Sequence, residues 1–403
     1  MVRGSLASLK VLEYSEHISG PYCTKMMADL GAEVIKVEPP FRGDRARRLG
    51  PFPGGVPHPE QSGLFLYLNT NKLGVTLDPG KATGRDMFLS LLAEADVFVQ
   101  NYSQKVMADL GLDYETLRQV NPRLVMVSIS PLGGTGPYKD FNCYPINSAA
   151  ASSVMNQIGY PDREPLMPPE DQMSYQGAIH GAAATLVAVW EQRRRGRGQH
   201  VDVSEAECLG NMLVGRELTN YVYRGVVGFR GGYRFITWYY PYAVLPCEDG
   251  FMSVIAVEDH QWDRFAVASG NPEWGTDPRF AIRFERGKRR DELDEMIAPW
   301  LMTHTKEEIF DLCRANRIPF APINSIADLL NSDHLRERDY FEEVDHPATG
   351  RLTYPGAPYK LAKTPWEIRS PAPGLGEHNE EIFCRRLGYS RGDLASLRAV
   401  EII

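Results

Sequence analysis

The sequence predicts an α/β fold built around a parallel β-sheet, on two observations. The first is a β-α-β unit near the N-terminus, formed by a strand over Lys10–Tyr14, a helix over Pro21–Leu30 and a strand over Glu33–Glu38. The second is that helical and strand-like segments keep alternating as far as residue 129. Two strands joined through a helix pair in parallel, because the chain must cross back over the sheet between them.

Local signals justify the individual elements. Pro21 suits the first turn of the first helix, and Gly31 suits the position just after its end. Further along the chain we predict helices over Asp86–Ala95 and Val106–Val120, and strands over Asp96–Gln100 and Leu124–Ile129. The last of these strands is rich in β-branched residues, which favour extended backbone.

Small residues dominate a helix that we predict to begin near Gly177. Gly177 and Gly181 stand four residues apart, so we expect the backbone of this helix to approach another element closely. A short strand over Val201–Val203 follows. Ser204, with Glu207 three residues later, predicts a capping box that opens the next helix.

A dinucleotide site is excluded despite this fold. Glu38 ends the second strand, where an acidic residue can bind a ribose, but the turn before the first helix (SEHISGP) contains only Gly20. The dinucleotide fingerprint requires three glycines, for its tight turn and for the approach of the pyrophosphate. The sequence also lacks the P-loop, serine-hydrolase and zinc-peptidase signatures.

Composition removes further classes of function. The chain has 403 residues and a formal net charge of −8, so it lacks the surplus of basic residues that nucleic-acid binding requires. Its six cysteines form no C-x-x-C pair and no metal-ligand cluster, which indicates reduced thiols and no metal site. We find no signal-peptide pattern and no apolar run long enough to span a bilayer. We therefore expect a cytoplasmic protein without nucleic-acid or membrane partners.

The composition changes after about Asn220. Residues 221–242 contain nine aromatic residues, interleaved with Arg224, Arg230 and Arg234. The segments around residues 249–262 and 288–318 indicate a separate α+β unit, and proline-rich loops follow from about Asp333. These changes place one domain boundary near residue 220 and another near residue 333.

Five segments, taken in order, resemble the class III CoA-transferases, the CaiB–BaiF family. They are LKVLEYSEHISGPYCTKMMADLGAEVIKVEPPFRGD, NTNKLGVTLD, ADVFVQNYSQKVMADLGLDYETLRQVNPRLVMVSISPLGGTGPYKD, RRRGRGQHVDVSEAE and PGLGEHNEEIFCRRLGYS. The likeness begins near residue 8 and covers nearly the whole chain. Each segment alone is weakly specific, but five collinear segments are a strong signal.

The resemblance implies a domain layout that pattern alone does not give. A large Rossmann-like, CoA-binding domain would be made of residues 1–220 and the returning segment 333–403, with a smaller α+β domain, residues 221–332, inserted between them. Two such chains typically form an interlocked dimer in this family. We therefore expect a homodimer, or a heterodimer with a homologous subunit.

The resemblance also implies the reaction, which is transfer of coenzyme A from an acyl-CoA, such as succinyl-CoA, to a carboxylic acid. CoA would be a co-substrate, and no tightly bound cofactor is expected. The family's nucleophile is an aspartate just before the glycine-rich helix, which corresponds to Asp171 here. The interval to Gly177 is longer than usual, and Glu170 is the neighbouring alternative.

An aspartate suits this chemistry because its unperturbed pKa of about 3.9 leaves it ionised without a general base. The resemblance implies an aspartyl anhydride first and an aspartyl-CoA thioester second.

Several further residues match positions or chemistry that such a site needs. The positions that match the family's CoA-binding segments are Asn71, Lys72, Asn101, Tyr102 and Lys105. The candidates for contacts with the CoA phosphates, all just after the second strand, are Arg42, Arg45, Arg47 and Arg48. The candidate backbone donors to a tetrahedral oxyanion are Gly133 and Gly134. The alternative for each is an ordinary surface or loop residue.

Two features bear on the acid that accepts CoA and on catalysis. The arginines and aromatic residues of 221–242 would suit an aromatic or dicarboxylic acid such as benzylsuccinate, but they would also suit a core or a subunit interface. His17 invites a catalytic role, although a single histidine without a partner acid is more often a packed or loop residue.

Two alternative functions stay open. Racemases of α-methylacyl-CoA thioesters resemble the transferases throughout, but they use a histidine in a GHDIN-like segment. The comparable run here is NCYPIN, with Tyr144 and Pro145 where the histidine and aspartate would fall, which favours CoA transfer. The other alternative is a non-catalytic subunit of a hetero-oligomeric transferase.

Overall fold

The computed structural model describes residues 4–228, 230–235 and 238–403. The strands within them are β1 (Lys10–Tyr14), β2 (Glu33–Glu38), β3 (Lys72–Thr76), β4 (Val97–Gln100), β5 (Val125–Ser130), β6 (Gln199–Ser204), β7 (Tyr242–Cys247), β8 (Gly250–Ile255), β9 (Ala321–Pro322), β10 (Phe341–His346) and β11 (Gly350–Pro355).

The helices, in the same order along the chain, are α1 (Ser19–Asp29), α2 (Gly63–Leu68), α3 (Ala82–Ala93), α4 (Gln104–Asp109), α5 (Tyr114–Val120), α6 (Pro145–Ala151), α7 (Gln172–Arg195), α8 (Glu205–Arg224), α9 (Asp259–Ala268), α10 (Glu273–Thr276), α11 (Arg283–Lys288), α12 (Arg290–Leu301), α13 (Lys306–Ala315), α14 (Ile326–Leu330), α15 (Asp333–Glu337) and α16 (Arg391–Ala399). A π-helical segment, Glu380–Arg386, precedes α16.

The chain folds into two compact units. The first contains the chain up to Val154, together with Met167–Thr219 and Glu337–Ile403, and the second contains Met155–Leu166 and Asn220–Arg336. The expected layout placed residues 155–166 in the large domain. They fall in the second unit because their backbone bonds there, for example through the Gly232 N–H, which donates to the Gly159 carbonyl at 3.1 Å.

A six-stranded, fully parallel sheet organises the first unit, in the order β3-β2-β1-β4-β5-β6. The predicted α/β fold with a parallel sheet is confirmed. The strand order reverses between β1 and β4, because the chain runs outward in one direction from β1 to β3 and in the other from β4 to β6. The carboxyl ends of strands on either side of such a reversal leave a crevice that binds ligands in open α/β sheets.

Apolar side chains cover both faces of this sheet, as expected for buried parallel strands. One face packs against α3, and its buried residues include Leu12, Phe98, Met126, Phe88 and Leu91. The other face packs against α1 and α7, and its buried residues include Val11, Val99, Val127, Cys23 and Ala178.

The two glycines of α7 allow the close approach that the sequence predicts. A Cβ atom at Gly181 would lie 2.9 Å from Ile129 Cδ1, and one at Gly177 would lie 3.1 Å from Ile129 Cγ2 and 2.9 Å from Glu205 Cγ. The two distances of 2.9 Å are shorter than real Cβ contacts and the one of 3.1 Å is tighter than most, so alanine at either position would displace neighbouring side chains.

Two predicted helices differ in extent from the observed ones. The segment Val106–Val120 is not one helix, because Gly111 takes a left-handed conformation with φ of +63° and divides it into α4 and α5. Asp113 then caps α5 by accepting the Thr116 N–H at 3.1 Å. The helix expected to begin near Gly177 begins at Gln172, directly after Asp171.

The second unit contains an antiparallel sheet in the order β7-β8-β9. Its core holds the fully buried aromatic residues Tyr240, Trp262, Phe265 and Phe280. Arg286 is also buried and donates to the carbonyls of Tyr240 and Phe280, each at 2.8 Å. In the described part of the chain, no helix combines the length and the apolar character needed to cross a bilayer.

A network of buried charges lies beneath the parallel sheet's carboxyl edge in the first unit. Lys36 Nζ lies 2.8 Å from Glu13 Oε1 and 2.8 Å from Asp44 Oδ2, and these three side chains are fully buried. Lys72 Nζ lies 2.9 Å from the other Glu13 oxygen. Burial alone would raise the pKa of Glu13, but the two lysines lower it to about 2, so the carboxylate stays charged in the interior.

Replacing Lys36 with methionine should lower the free energy of unfolding by about 3–5 kcal/mol, because two buried carboxylates would lose their shared cation. Urea denaturation followed by circular dichroism measures the change. The matched control is Lys10→Met: Lys10 pairs with Glu94 at 3.2 Å with about half of each side chain exposed, so its loss should cost less than about 1 kcal/mol. Equal losses in the two variants would contradict a stabilising role for the buried network.

Candidate active site

Three neighbouring cavities lie in the first unit at the carboxyl ends of its strands. The Asp171 cavity, of about 540 Å³, has Asp171 and His17 on its wall. The Glu205 cavity, of about 220 Å³, shares His17 with it. The glycine-loop cavity, of about 300 Å³, shares Asn101 and Tyr102 with the Glu205 cavity. Their position at the crevice between β1 and β4 makes them the candidate active site.

The predicted nucleophile, Asp171, is the residue immediately before α7. Its carbonyl oxygen accepts the Tyr175 N–H at 3.1 Å, but its side chain makes no capping hydrogen bond. The positive end of the helix favours a carboxylate at this place, and the carboxyl group is 28% exposed. Its oxygens are therefore free to react with a molecule in the Asp171 cavity. Because the helix begins at Gln172, the interval to Gly177 lies within regular helix.

His17 lies next to Asp171 in the structure. The sequence around His17 did not predict this proximity. His17 has a φ of +68°, and its N–H donates to Asp44 Oδ1 at 2.8 Å. Its Nε2 lies 3.7 Å from Asp171 Oδ2. Burial, followed by the Arg45 charge, lowers the pKa of His17 below 6.5 although Asp171, Asp44 and Glu16 act in the opposite direction. The imidazole is therefore neutral at pH 7.

Two of the predicted CoA contacts line the cavities. Asn101 Nδ2 donates to the Glu16 carbonyl at 2.7 Å and to Ser19 Oγ at 3.1 Å, which ties the loop after β4 to the loop after β1. The Tyr102 hydroxyl donates to the Glu16 carboxylate at 2.7 Å. Lys105 is exposed on α4 and is not part of the walls of the three cavities.

The other two predicted CoA contacts point into the protein. Lys72 is only 2% exposed and donates to the Pro21 carbonyl and to Asn69 Oδ1, each at 2.8 Å, besides its pairing with Glu13. Asn71 Nδ2 donates to Asp29 Oδ1 at 2.6 Å, and Asn71 Oδ1 accepts backbone N–H groups of residues 369 and 370. Both side chains therefore stabilise the fold in this conformation.

Of the four arginines that follow β2, one is buried and three are exposed. Arg47 is fully buried and pairs with Glu38 at 2.7 Å and with Glu60 at 2.7 Å, so it is not available to a phosphate group. Arg42, Arg45 and Arg48 are exposed. Among these, Arg45 lines the Glu205 cavity.

The glycine loop after β5 lines the third cavity. Gly133 has a φ of +85°, and the Gly134 N–H donates to both oxygens of Asp202, at 2.9 and 3.0 Å. The Gly134 N–H is therefore occupied. An oxyanion role for it stays a prediction that requires this bond to open.

Three tyrosines form one wall of the Asp171 cavity: Tyr67 from α2, Tyr175 from α7 and Tyr354 from β11. Their rings connect through Tyr22, with centroid distances of 5.0 Å to Tyr175 and 6.3 Å to Tyr67, and Tyr67 lies 5.8 Å from Tyr354. Burial raises the pKa of Tyr175 and of Tyr354 to about 12. The wall is therefore aromatic and uncharged at neutral pH.

Glu205, the first residue of α8, lines the second cavity and is 5% exposed. Burial raises its pKa to about 7, and the nearby Asp171 charge adds to the effect, whereas hydrogen bonds with the Ser174 and Ser19 hydroxyls lower it. At neutral pH a large fraction of this carboxyl group is therefore protonated.

The described residues of the aromatic stretch 221–242 belong to the second unit. Phe229, Ile236 and Thr237 lie outside the described residues. Arg230 donates to the carbonyls of Tyr160 and Arg163, each at 3.1 Å. Arg234 pairs with Asp291 at 2.7 Å and with Asp294. These contacts lie within the second unit, and a role for the stretch in binding the acid stays a prediction.

Sequence reasoning missed Glu205 and the tyrosine wall. Glu205 directly follows β6, so its place at the carboxyl edge of the sheet was a usable signal. The three wall tyrosines come from elements far apart in sequence, and no local pattern connects them. Within the described residues no three His, Cys, Asp or Glu side chains are grouped to hold a metal ion.

Known proteins resemble this chain over nearly its whole length. The succinyl-CoA–D-citramalate CoA-transferase of Chloroflexus aurantiacus is 32% identical over 402 residues, which are 99% of this chain and 98% of that protein. The beta subunit of the succinyl-CoA–L-malate CoA-transferase of the same organism is 29% identical, with the same coverage.

A solved structure agrees with these sequence matches. The crystal structure of a CaiB/BaiF family protein from Brucella suis superposes with a TM-score of 0.87 at 27% identity, and covers 95% of this chain and 99% of that one. The profile of CoA-transferase family III matches residues 6–379. The resemblance inferred from the five segments is confirmed: the chain belongs to CoA-transferase family III and is an enzyme of this kind.

Proposed function

We propose that this enzyme transfers CoA from an acyl-CoA to a carboxylic acid, with Asp171 as the nucleophile. The single observation that carries the proposal is the Asp171 carboxylate, which stands at the start of α7 without a capping bond and faces a cavity of about 540 Å³. A carboxylate that only stabilised the helix would instead accept hydrogen bonds from its first N–H groups.

In the proposed reaction, an Asp171 oxygen forms a bond to the thioester carbonyl carbon, and the carbonyl electron pair moves onto its oxygen. The resulting oxyanion collapses, the carbon–sulfur bond breaks, and CoA thiolate leaves behind an aspartyl anhydride. The thiolate then attacks the aspartyl carbonyl and releases the donor acid as a carboxylate, which forms an aspartyl-CoA thioester. The acceptor carboxylate reverses the two steps. Charge is conserved throughout, so no proton needs to be moved.

His17 is proposed to support the oxyanion. Its neutral imidazole has Nε2 at 3.7 Å from Asp171 Oδ2 and lines the same cavity, so it lies beside the carbon that Asp171 would attack. A neutral imidazole suits this role better than a charged one, because an imidazolium would form an ion pair with the Asp171 carboxylate and reduce its reactivity as a nucleophile.

The names of the relatives support the choice of donor, and the residues that line the cavities support the choice of acceptor. Both relatives described above carry succinyl-CoA in their names, and we propose succinyl-CoA as a donor. For the acceptor we propose an aromatic or dicarboxylic acid, with benzylsuccinate as an example. The tyrosine wall of the Asp171 cavity supports the aromatic group.

The CoA portion is proposed to lie along the Glu205 and glycine-loop cavities. Asn101 and Tyr102 lie on the walls of both cavities. Arg45, which lines the Glu205 cavity, and the exposed Arg42 are proposed to contact the phosphates. Lys72, Asn71 and Arg47 are left out of this site because their polar atoms are bonded to other groups inside the protein.

We also propose that two chains assemble as an interlocked dimer, either of identical chains or with a homologous subunit. The name of the beta-subunit relative supports the second arrangement.

Replacing Asp171 with asparagine should reduce CoA transfer from succinyl-CoA by at least about 10³-fold, because an amide is a poor nucleophile at the same position. The measurement is steady-state transfer to a panel of aromatic and dicarboxylic acids with the chain expressed alone. Glu170→Gln is the matched control and should keep wild-type rates. Full activity of the Asp171 variant would contradict the assignment, and α-proton exchange without any acceptor acid would favour a racemase.

Replacing His17 with glutamine should leave activity within about tenfold of wild type, since the amide N–H can replace the imidazole donor. His17→Ala should cost about 10²–10³-fold, the usual effect of removing one oxyanion donor. The kcat values of the two variants, measured with the same acyl-CoA, test this. A glutamine variant as inactive as the alanine variant would argue against hydrogen-bond donation by His17.

A further inference from the structure

Glu205 is a buried carboxyl group in the candidate active site to which the transfer mechanism above gives no role. It lines the Glu205 cavity together with His17 and Ser174, and only 5% of the residue is exposed. His17 also lines the Asp171 cavity. The two cavities therefore meet at His17, and the Asp171 charge acts on Glu205, which puts Glu205 in the neighbourhood of a carbonyl held beside Asp171.

The surrounding backbone is built to hold this side chain. Gly177 of α7 leaves the space for it, because a Cβ atom there would lie 2.9 Å from Glu205 Cγ. Ser174 belongs to the first turn of α7, and Ser19 is the first residue of α1; both hydroxyls hydrogen-bond to Glu205. Asn101 in turn donates to Ser19 Oγ at 3.1 Å. Two helix starts and a glycine thus fix the carboxyl group.

The partners of Glu205 favour a protonated carboxyl group. The partners that act on it are two neutral hydroxyls and the negative Asp171, and none of them is a cation. The charged or titratable groups around it, from the elements and loops packed against it, are Glu16, His17, Arg45, Tyr102, Cys143, Tyr144, Asp171, Glu207 and Cys208. Arg45 is exposed, and it is not among the groups that act on the pKa of Glu205.

We propose that Glu205 is a catalytic residue that keeps its proton and donates a hydrogen bond to the substrate oxygen on which negative charge develops. This inference rests on the proposed function. The bond between Asp171 and the carbonyl carbon forms as before, the carbonyl electron pair becomes the oxyanion, and the Glu205 proton stays on Glu205 throughout. An ionised Glu205 would instead repel the oxyanion, the thiolate and the substrate carboxylate.

The test compares the pH dependence of kcat/KM for wild type and Glu205→Gln, between about pH 6 and about pH 9. Burial raises the pKa of Glu205 to about 7, so the active, protonated form is present below that pH and is lost above it. Wild-type kcat/KM should fall about tenfold per pH unit above the transition. Glu205→Gln keeps a neutral donor and should stay level, and Glu205→Ala should be level but about 10²-fold lower.

A control variant and a second measurement separate this role from a structural one. Glu207→Gln, two residues further along α8 and exposed, should reproduce the wild-type profile. Folding of each variant is followed by thermal unfolding. The melting temperature of Glu205→Gln relative to wild type should rise as pH increases from about 4.5 towards 7, because the wild-type acid must retain a proton that the unfolded chain releases.

The outcomes distinguish this proposal from the one on which it rests. Absence of CoA transfer at every pH, or transfer that survives Asp171→Asn, would overturn the proposed function. Transfer that depends on Asp171 but shows no fall in wild type above pH 7, or the same fall in Glu205→Gln, would overturn the role of Glu205 alone.

Discussion

The geometry of the candidate site depends on one buried ion pair, between Lys36 and Asp44. Lys36 stands in β2 and is held by Glu13 of β1, so its position is fixed by the sheet. Asp44 uses its other oxygen to accept the His17 N–H at 2.8 Å. The left-handed backbone at His17, which is unfavourable for a residue with a side chain, is thereby supported from within the core. A cation deep in the sheet thus positions the imidazole beside Asp171.

This arrangement explains why basic residues near a predicted anion site were difficult to assign. Lys72 and Arg47 stand close in sequence to exposed loops, so the sequence alone does not distinguish them from Arg45 as candidates for binding a phosphate group. In three dimensions they neutralise Glu13 and Glu38, whose burial would otherwise be costly. The acidic side chains that they pair with lie on β1 and β2, and the sequence does not reveal these pairings.

The fold was predictable to a greater extent than the site. The strands Lys10–Tyr14 and Glu33–Glu38 have the predicted bounds, because apolar periodicity and turn residues act locally. The nucleophile role of Asp171 comes from family resemblance and stays a prediction, and local reasoning misplaced the start of the helix that follows it. Glu205 and the tyrosine wall depend on how distant elements converge, and Gly177, read only as a packing glycine, also makes room for Glu205.

The proposed mechanism requires that Asp171 becomes covalently bound to CoA during transfer. The most direct measurement is to mix the enzyme with succinyl-CoA without acceptor, quench it, digest it and locate the adduct by peptide mass spectrometry. We predict a CoA thioester on Asp171, which hydroxylamine cleaves and which disappears when the acceptor acid takes up the CoA. An adduct on another residue, or an enzyme that transfers CoA at its full rate with no adduct, would contradict it.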